Sequence, residues 1–195
     1  MAAVSDIGRY LVETIASLYL IIVVLRGILQ ASGADFYNPI SQFIAGATNP
    51  PLRVLRKLIP AGRRFDASTL VLALLVQSLS LSAVLILAGF MPPSVLVILL
   101  WSVIGVAALL VNSYLVALII MIVLSWVAPG SRHPAVVLVH QITHPVMAPV
   151  RSLLPNMGGL DFSPILLFIV INVIQIALRH MAVATGLPPS LVRGL

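Results

Sequence analysis

Four stretches of this chain are apolar over about the 20 residues a helix needs to cross a hydrocarbon core roughly 30 Å thick. They run from about Ile7 to Gln30, Leu70 to Met91, Val95 to Val127 and Ile165 to Ala184. The first carries Arg9, Glu13 and Arg26 and the fourth Arg179, whereas the second and third hold no formal charge. The third is too short for two spans and longer than one requires, so a single tilted helix is expected there. The rest of the composition agrees. Of 195 residues, 61% are hydrophobic and 8% charged, against about 25% charged in soluble domains. So few ionic groups do not cover a water-soluble globule, and so much apolar surface excludes a disordered chain. There is no cysteine, which removes disulfides, thiolate metal sites and cysteine nucleophiles. Glu13 inside the first stretch, with no basic leader before it, argues for a retained span over a cleaved signal.

Met91-Pro92-Pro93-Ser94 reads as a tight turn between the second and third spans, since two prolines break the helix. The other two connections, about 31–69 and 128–164, are long and emerge on one side. That side holds Arg53, Arg56, Lys57, Arg63, Arg64, Arg132 and Arg151, whereas the other holds Arg9, Arg179 and Arg193. By the positive-inside rule the long connections face the cytoplasm and both termini face outward.

A shift of 95 positions aligns the sequence with itself without a gap. Tyr19-Leu20 falls on Tyr114-Leu115, Pro39 on Pro134, Thr48 on Thr143, Pro50 on Pro145 and Arg56 on Arg151. Leu58 falls on Leu153, Pro60 on Pro155, Asp66 on Asp161 and Ser68 on Ser163. Chance matching of apolar segments would favour Leu and Val, but these identities are mostly Pro, Thr, Arg, Asp and Ser. The expected fold is therefore an all-α integral membrane protein. Its four transmembrane helices form two parallel tandem repeats, residues 1–91 and 95–195, related by an axis along the membrane normal.

The matched connections have their own pattern. Ile40, Phe43, Ile44 and Ala47 recur at helical spacing, and Thr48-Asn49-Pro50-Pro51, like Thr143-His144-Pro145, is expected to break that helix. A second short helix is expected, with Leu52, Leu55, Leu58 and Ile59 on one side and Arg53, Arg56 and Lys57 on the other, ended by Pro60, as Pro155 ends its counterpart. Such amphipathic helices lie in the interface, cations near lipid phosphates. Asp66 and Ser68, like Asp161 and Ser163, then stand where free N–H groups of the next span need caps.

Phe36-Tyr37-Asn38-Pro39, Thr48-Asn49-Pro50 with Arg56 and Pro60, Thr143-His144-Pro145 with Arg151 and Pro155, and Gly158-Gly159-Leu160-Asp161-Phe162-Ser163-Pro164 carry a resemblance over nearly the whole chain. In this order they resemble the YggT family of small bacterial inner-membrane proteins, which has plastid relatives. The resemblance implies a multi-pass membrane protein, linked to osmotic or potassium homeostasis, to cell-division-associated functions, or in plastids to cytochrome assembly and nucleoid organisation. Arg63 and Arg64 depart from the second copy, which has Gly158 and Gly159 there.

Within the spans, Glu13 has two readings: a structural pair with Arg9 or Arg179, which carries more weight, or an ion or proton role. Arg26, near the end of its span, is expected to snorkel. Gln77 and its counterpart Asn172 form a possible intramembrane polar site with Glu13. Bonding between helices is the commoner use of such groups. His140 and His144 have the spacing of a metal pair, but no third ligand is near, and no metal or cofactor is expected. No phosphate loop, nucleophile elbow or fixed carboxylate pair is present, so no enzyme is expected. The expected role is a scaffold or assembly factor, with osmotic or ion transport as the alternative. Its expected partners are anionic phospholipid, held by Arg53, Arg56, Lys57, Arg63, Arg64 and Arg151, and either a membrane protein or further copies of itself. No nucleic acid is expected.

Overall fold

The computed structural model describes residues 2–60, 62, 65–153 and 161–188. Six helices follow one another: α1 (Ala2–Ser32), α2 (Pro39–Leu55), α3 (Ala67–Leu87), α4 (Val95–Val127), α5 (Pro134–Leu153) and α6 (Ser163–Ala184). There is no strand among the described residues. The helices α1, α3, α4 and α6 are long and apolar enough to cross a membrane, and they coincide with the four stretches read from the sequence. α4 is one continuous helix, as expected.

One boundary differs. α3 stops at Leu87, before the prolines expected to end it. Gly89 takes a positive φ of 80°, and the N–H groups of Gly89 and Phe90 turn back onto the Ile86 and Leu85 carbonyls. A residue without Cβ enters this left-handed cap readily, so the glycine ends the helix before Pro92 is reached.

α1 packs along α3, α4 packs along α6, and the α3–α4 contact joins the two pairs. Leu29, Leu52, Leu118, Ile104 and Met147 are among the largest fully buried side chains. Polar groups close the seams between spans. Ser78 and Ser102 share a 2.7 Å hydrogen bond between α3 and α4. Gln175 donates to Asn112 Oδ1 at 2.6 Å between α6 and α4, and Trp101 Nε1 donates to the Thr185 carbonyl at 3.1 Å. Gly105 lets α4 approach closely, because a Cβ there would lie 2.8 Å from Gln77 Nε2.

The two connections are helical but unlike the expectation. α2 runs unbroken through Pro50 and Pro51, and α5 through Pro145 and Pro149. No separate second helix follows Pro50; after Leu55 the backbone makes a turn through Ile59 before Pro60. Proline removes a donor, but the helix survives if the freed carbonyls find other partners. Pro51 leaves the Ala47 carbonyl without its usual partner, and the Tyr19 hydroxyl from α1 donates to it at 3.5 Å. The packed face also differs. Ser41, Ile44, Thr48 and Leu52 are buried, whereas Phe43, Val54 and Leu58 point outward.

Gly105→Val should open the α3–α4 seam and lower stability in detergent by about 1–3 kcal/mol, the usual range for overpacking. Adding Gln77→Ala should recover most of the loss, as read from thermal unfolding. An additive double variant would show that Gln77 does not occupy that space.

Candidate functional site

The buried polar groups of α2 and α5 sit where these helices meet the spans. Thr48 is fully buried, and its hydroxyl donates to the Ile44 carbonyl at 2.7 Å, four residues back in its own helix. Thr143 is buried in the same way and donates to the Val139 carbonyl at 2.8 Å. Each threonine faces the preceding span. Arg26 of α1 donates through Nη1 to Thr48 Oγ1 at 3.3 Å and to Asn49 Oδ1 at 3.1 Å. At the position 95 residues on, Met121 Sδ accepts from the Thr143 hydroxyl at 3.3 Å.

Arg26 corrects the sequence reading. It is only 7% exposed and does not snorkel. Its guanidinium is held by two neutral acceptors on α2 and lies 5.4 Å from the centroid of the Phe36 ring, a geometry in which the ring face attracts the cation. Arg26, Asn49, Phe36 and Tyr19 were missed as site residues. A signal was present: the matched copy has apolar Met121 where the first copy has a charge.

Ten residues separate an arginine from an aspartate in both connections, and each pair closes. Arg56 bonds to Asp66, whose side chain is 1% exposed. Arg151 Nη2 lies 2.8 Å from Asp161 Oδ2, with both side chains largely open. The other carboxylate oxygens accept from the Ser68 N–H at 3.1 Å and the Ser163 N–H at 3.0 Å, at the starts of α3 and α6. Burial alone would push the Asp66 carboxyl up, but Arg56, the Thr69 hydroxyl and the Ser68 N–H together hold it below the usual carboxylate range. At Asp161 burial again pushes upward, and Ser163 with Arg151 prevails. Ser68 also donates to the Ile59 carbonyl at 2.6 Å, so it ties the turn after α2 to α3.

The two connections touch each other. Asn38 Oδ1 caps α2 by accepting from the Ile40 N–H at 2.9 Å, while its Nδ2 donates to the carbonyl of Pro134 at 2.8 Å. The Asp35 N–H donates to Gln141 Oε1 at 3.0 Å. Pro39 and Pro134 thus stand as first residues of two abutting helices. Pro50, Pro60 and Pro145 are exposed, as are Arg53, Lys57 and Arg151. Arg63, Arg64 and Pro155 lie outside the described residues. Beside Asp66, a cavity of about 450 Å³ opens between α1, α3 and α4, walled by Val23, Gly27, Thr69, Leu110 and Tyr114 among others.

The intramembrane candidates do not gather. Gln77 lies against α4, Asn172 faces outward from α6 and donates only to the Phe168 carbonyl in its own helix, at 2.8 Å. Glu13 is half-buried on α1 and has no ion pair among the described residues, so neither Arg9 nor Arg179 neutralises it. His140 and His144 are outward-facing on one continuous helix, which does not end at Pro145.

Removing one partner from a buried ion pair costs far more than removing one from an open pair. Arg56→Ala should therefore destabilise by about 3 kcal/mol and Arg151→Ala by less than about 1 kcal/mol; equal losses would refute the difference in burial. Because the Asp66 carboxyl is depressed in the fold, its stabilisation is present at neutral pH. It is lost as pH falls through and below about 4. Asp66→Asn should be less stable at pH 7 and should flatten that acid limb of the melting profile.

The model of the CCB3/YggT family matches residues 6–87 and again 100–182. The chain is 45% identical to the uncharacterized protein PA0392 of Pseudomonas aeruginosa over 98% of each chain. It is 33% identical to the uncharacterized protein YggT of Escherichia coli K12, over 91% of this chain and 92% of that one. A Vibrio alginolyticus protein, described as uncharacterized and encoded in the proC 3' region, is 38% identical over 82% of this chain and 86% of its own. No solved structure matches the chain. Four apolar helices and a family match that takes in all of them carry one conclusion: the chain belongs to the CCB3/YggT family and is a multi-pass membrane protein.

Proposed function

We propose that this protein is a non-enzymatic scaffold or assembly factor of the bacterial inner membrane, working through α2 and α5. The observation that carries this is their two-sided construction. Each is fastened to the spans by a buried threonine, and the two are fastened to each other by Asn38 and Gln141. The opposite side of α2 offers Phe43, Val54 and Leu58 together with Arg53 and Lys57. A helix that is apolar on both sides, with cations at one end, suits the boundary between the bundle, acyl chains and lipid phosphates. The apolar cavity beside Asp66 suits an acyl chain of the same anionic phospholipid.

In this reading the chain is two parallel copies of one unit, residues 1–91 and 95–195. Three observations support that: contacts repeated at an offset of 95, a family model that matches twice, and the shared position of α2 and α5 between consecutive spans. Both would lie on the cytoplasmic side, where Arg and Lys concentrate, with the termini outside.

Arg53→Ala combined with Lys57→Ala changes only exposed side chains. It should reduce the phosphatidylglycerol and cardiolipin that remain bound through purification in mild detergent, measured by mass spectrometry. It should also release the protein that co-purifies stoichiometrically with the unsubstituted chain. Unchanged lipid and unchanged companion would reject the proposal.

One observation favours a second reading, osmotic or ion transport: Glu13 sits inside a span without a counter-ion among the described residues, and such groups mark ion paths. Purified protein in liposomes should then pass potassium, and Glu13→Gln should reduce the flux. Liposomes as tight as protein-free ones would remove this alternative.

A further inference from the structure

The repeat has a seam that is closed once and left open once. Between α3 and α4, Gln77 lies against Gly105, and Ser78 bonds to Ser102. A shift of 95 carries Gln77 to Asn172 and Ser78 to Val173 on α6. The same shift relates Gly105 to Tyr10 and Ser102 to Ile7 on α1. All four of these counterparts face outward: Ile7 is 60% exposed, Tyr10 62% and Val173 60%, and Asn172 is exposed as well. The same holds one turn on, where Leu81 is buried in the seam at 2% and its counterpart Ile176 is 53% exposed.

Both halves of a second seam are thus present in one chain, at opposite edges. The direction of the helices is right too. α3 and α4 are consecutive spans and run in opposite senses, and so do α6 and α1. Lipid does not satisfy what is left over. The Asn172 carboxamide lies about two and a half turns into α6, and its oxygen has no partner among the described residues. An amide at that depth gains by meeting a hydroxyl on another helix, and Tyr10 presents one.

We propose that a second copy of this chain covers this face, α6 of one copy lying on α1 of the next in the order and direction of the α3–α4 seam but farther apart, since Tyr10 stands where that seam has Gly105, with Asn172 paired to Tyr10 across the contact. Such a contact is head-to-tail, and a rotation between copies that closes makes a ring in which every pair of units meets alike. The proposal rests on the two-copy organisation above but not on any role of α2 and α5. Its failure leaves the lipid and partner readout at Arg53 and Lys57 untouched.

The absence of cysteine allows a clean test. Two differently tagged chains, one with Tyr10→Cys and one with Asn172→Cys, are produced together and oxidised in native membranes. Most of the protein should become a disulfide-linked species carrying both tags, and neither variant alone should link. Asn172→Leu should weaken association of the otherwise natural chain by about threefold, the worth of one average hydrogen bond between spans. Linking by Asn172→Cys alone would replace this arrangement with a symmetric α6 pair. No linking, or a monomeric mass for the unsubstituted chain in lipid nanodiscs, would overturn the proposal outright.

Discussion

A carbonyl or amide carried into hydrocarbon finds no water, and each one left alone costs several kcal/mol. Where α2 and α5 pack against the spans, their buried polar groups are met by partners in the same way. Both helices contain prolines that free backbone carbonyls, and both place a threonine where its hydroxyl turns back onto the helix. Tyr19 reaches from α1 to a carbonyl that Pro51 leaves open. In α2 that partner from the span takes up one of the carbonyls the prolines free, and the helix runs on past both of them.

The corresponding contacts differ in chemistry between the two segments. In the first, a buried guanidinium holds Thr48 and Asn49, and the Arg56–Asp66 pair is largely shielded. In the second, a thioether takes the place of the guanidinium, and the Arg151–Asp161 pair stands open to its surroundings. A shielded ion pair with further hydrogen bonds on its carboxylate is more rigid and more sensitive to loss of one partner. The first segment is therefore the more tightly fastened, and it is also the one with Arg53 and Lys57 on its outer side.

Much of this could be read from residues alone. Span lengths were readable because hydrophobic thickness sets them, and Arg56 with Asp66 stood out because both recur ten residues apart in the second segment. Other features resisted. Pro50, Pro51 and Pro145 look like helix breakers in any local reading, since nothing nearby in sequence shows that α2 and α5 run on past them or that Tyr19 reaches the carbonyl Pro51 leaves open. Arg26 looks like a snorkelling residue because its distance from the helix end allows it; only the crossing of α2 over α1 closes that route. Gly89 was overlooked beside the louder Pro92-Pro93, although a glycine cap acts on the helix first.

Hydropathy and spacing were enough to set the helical class, the number of spans and the correspondence between segments, because these depend on local free energies of transfer and on covalent order. Which face of α2 is buried, where Arg26 finds its acceptors, and that Gln77 is covered while Asn172 is bare depend on how helices cross. Crossing geometry arises from packing among residues distant along the chain, and no local pattern encodes it.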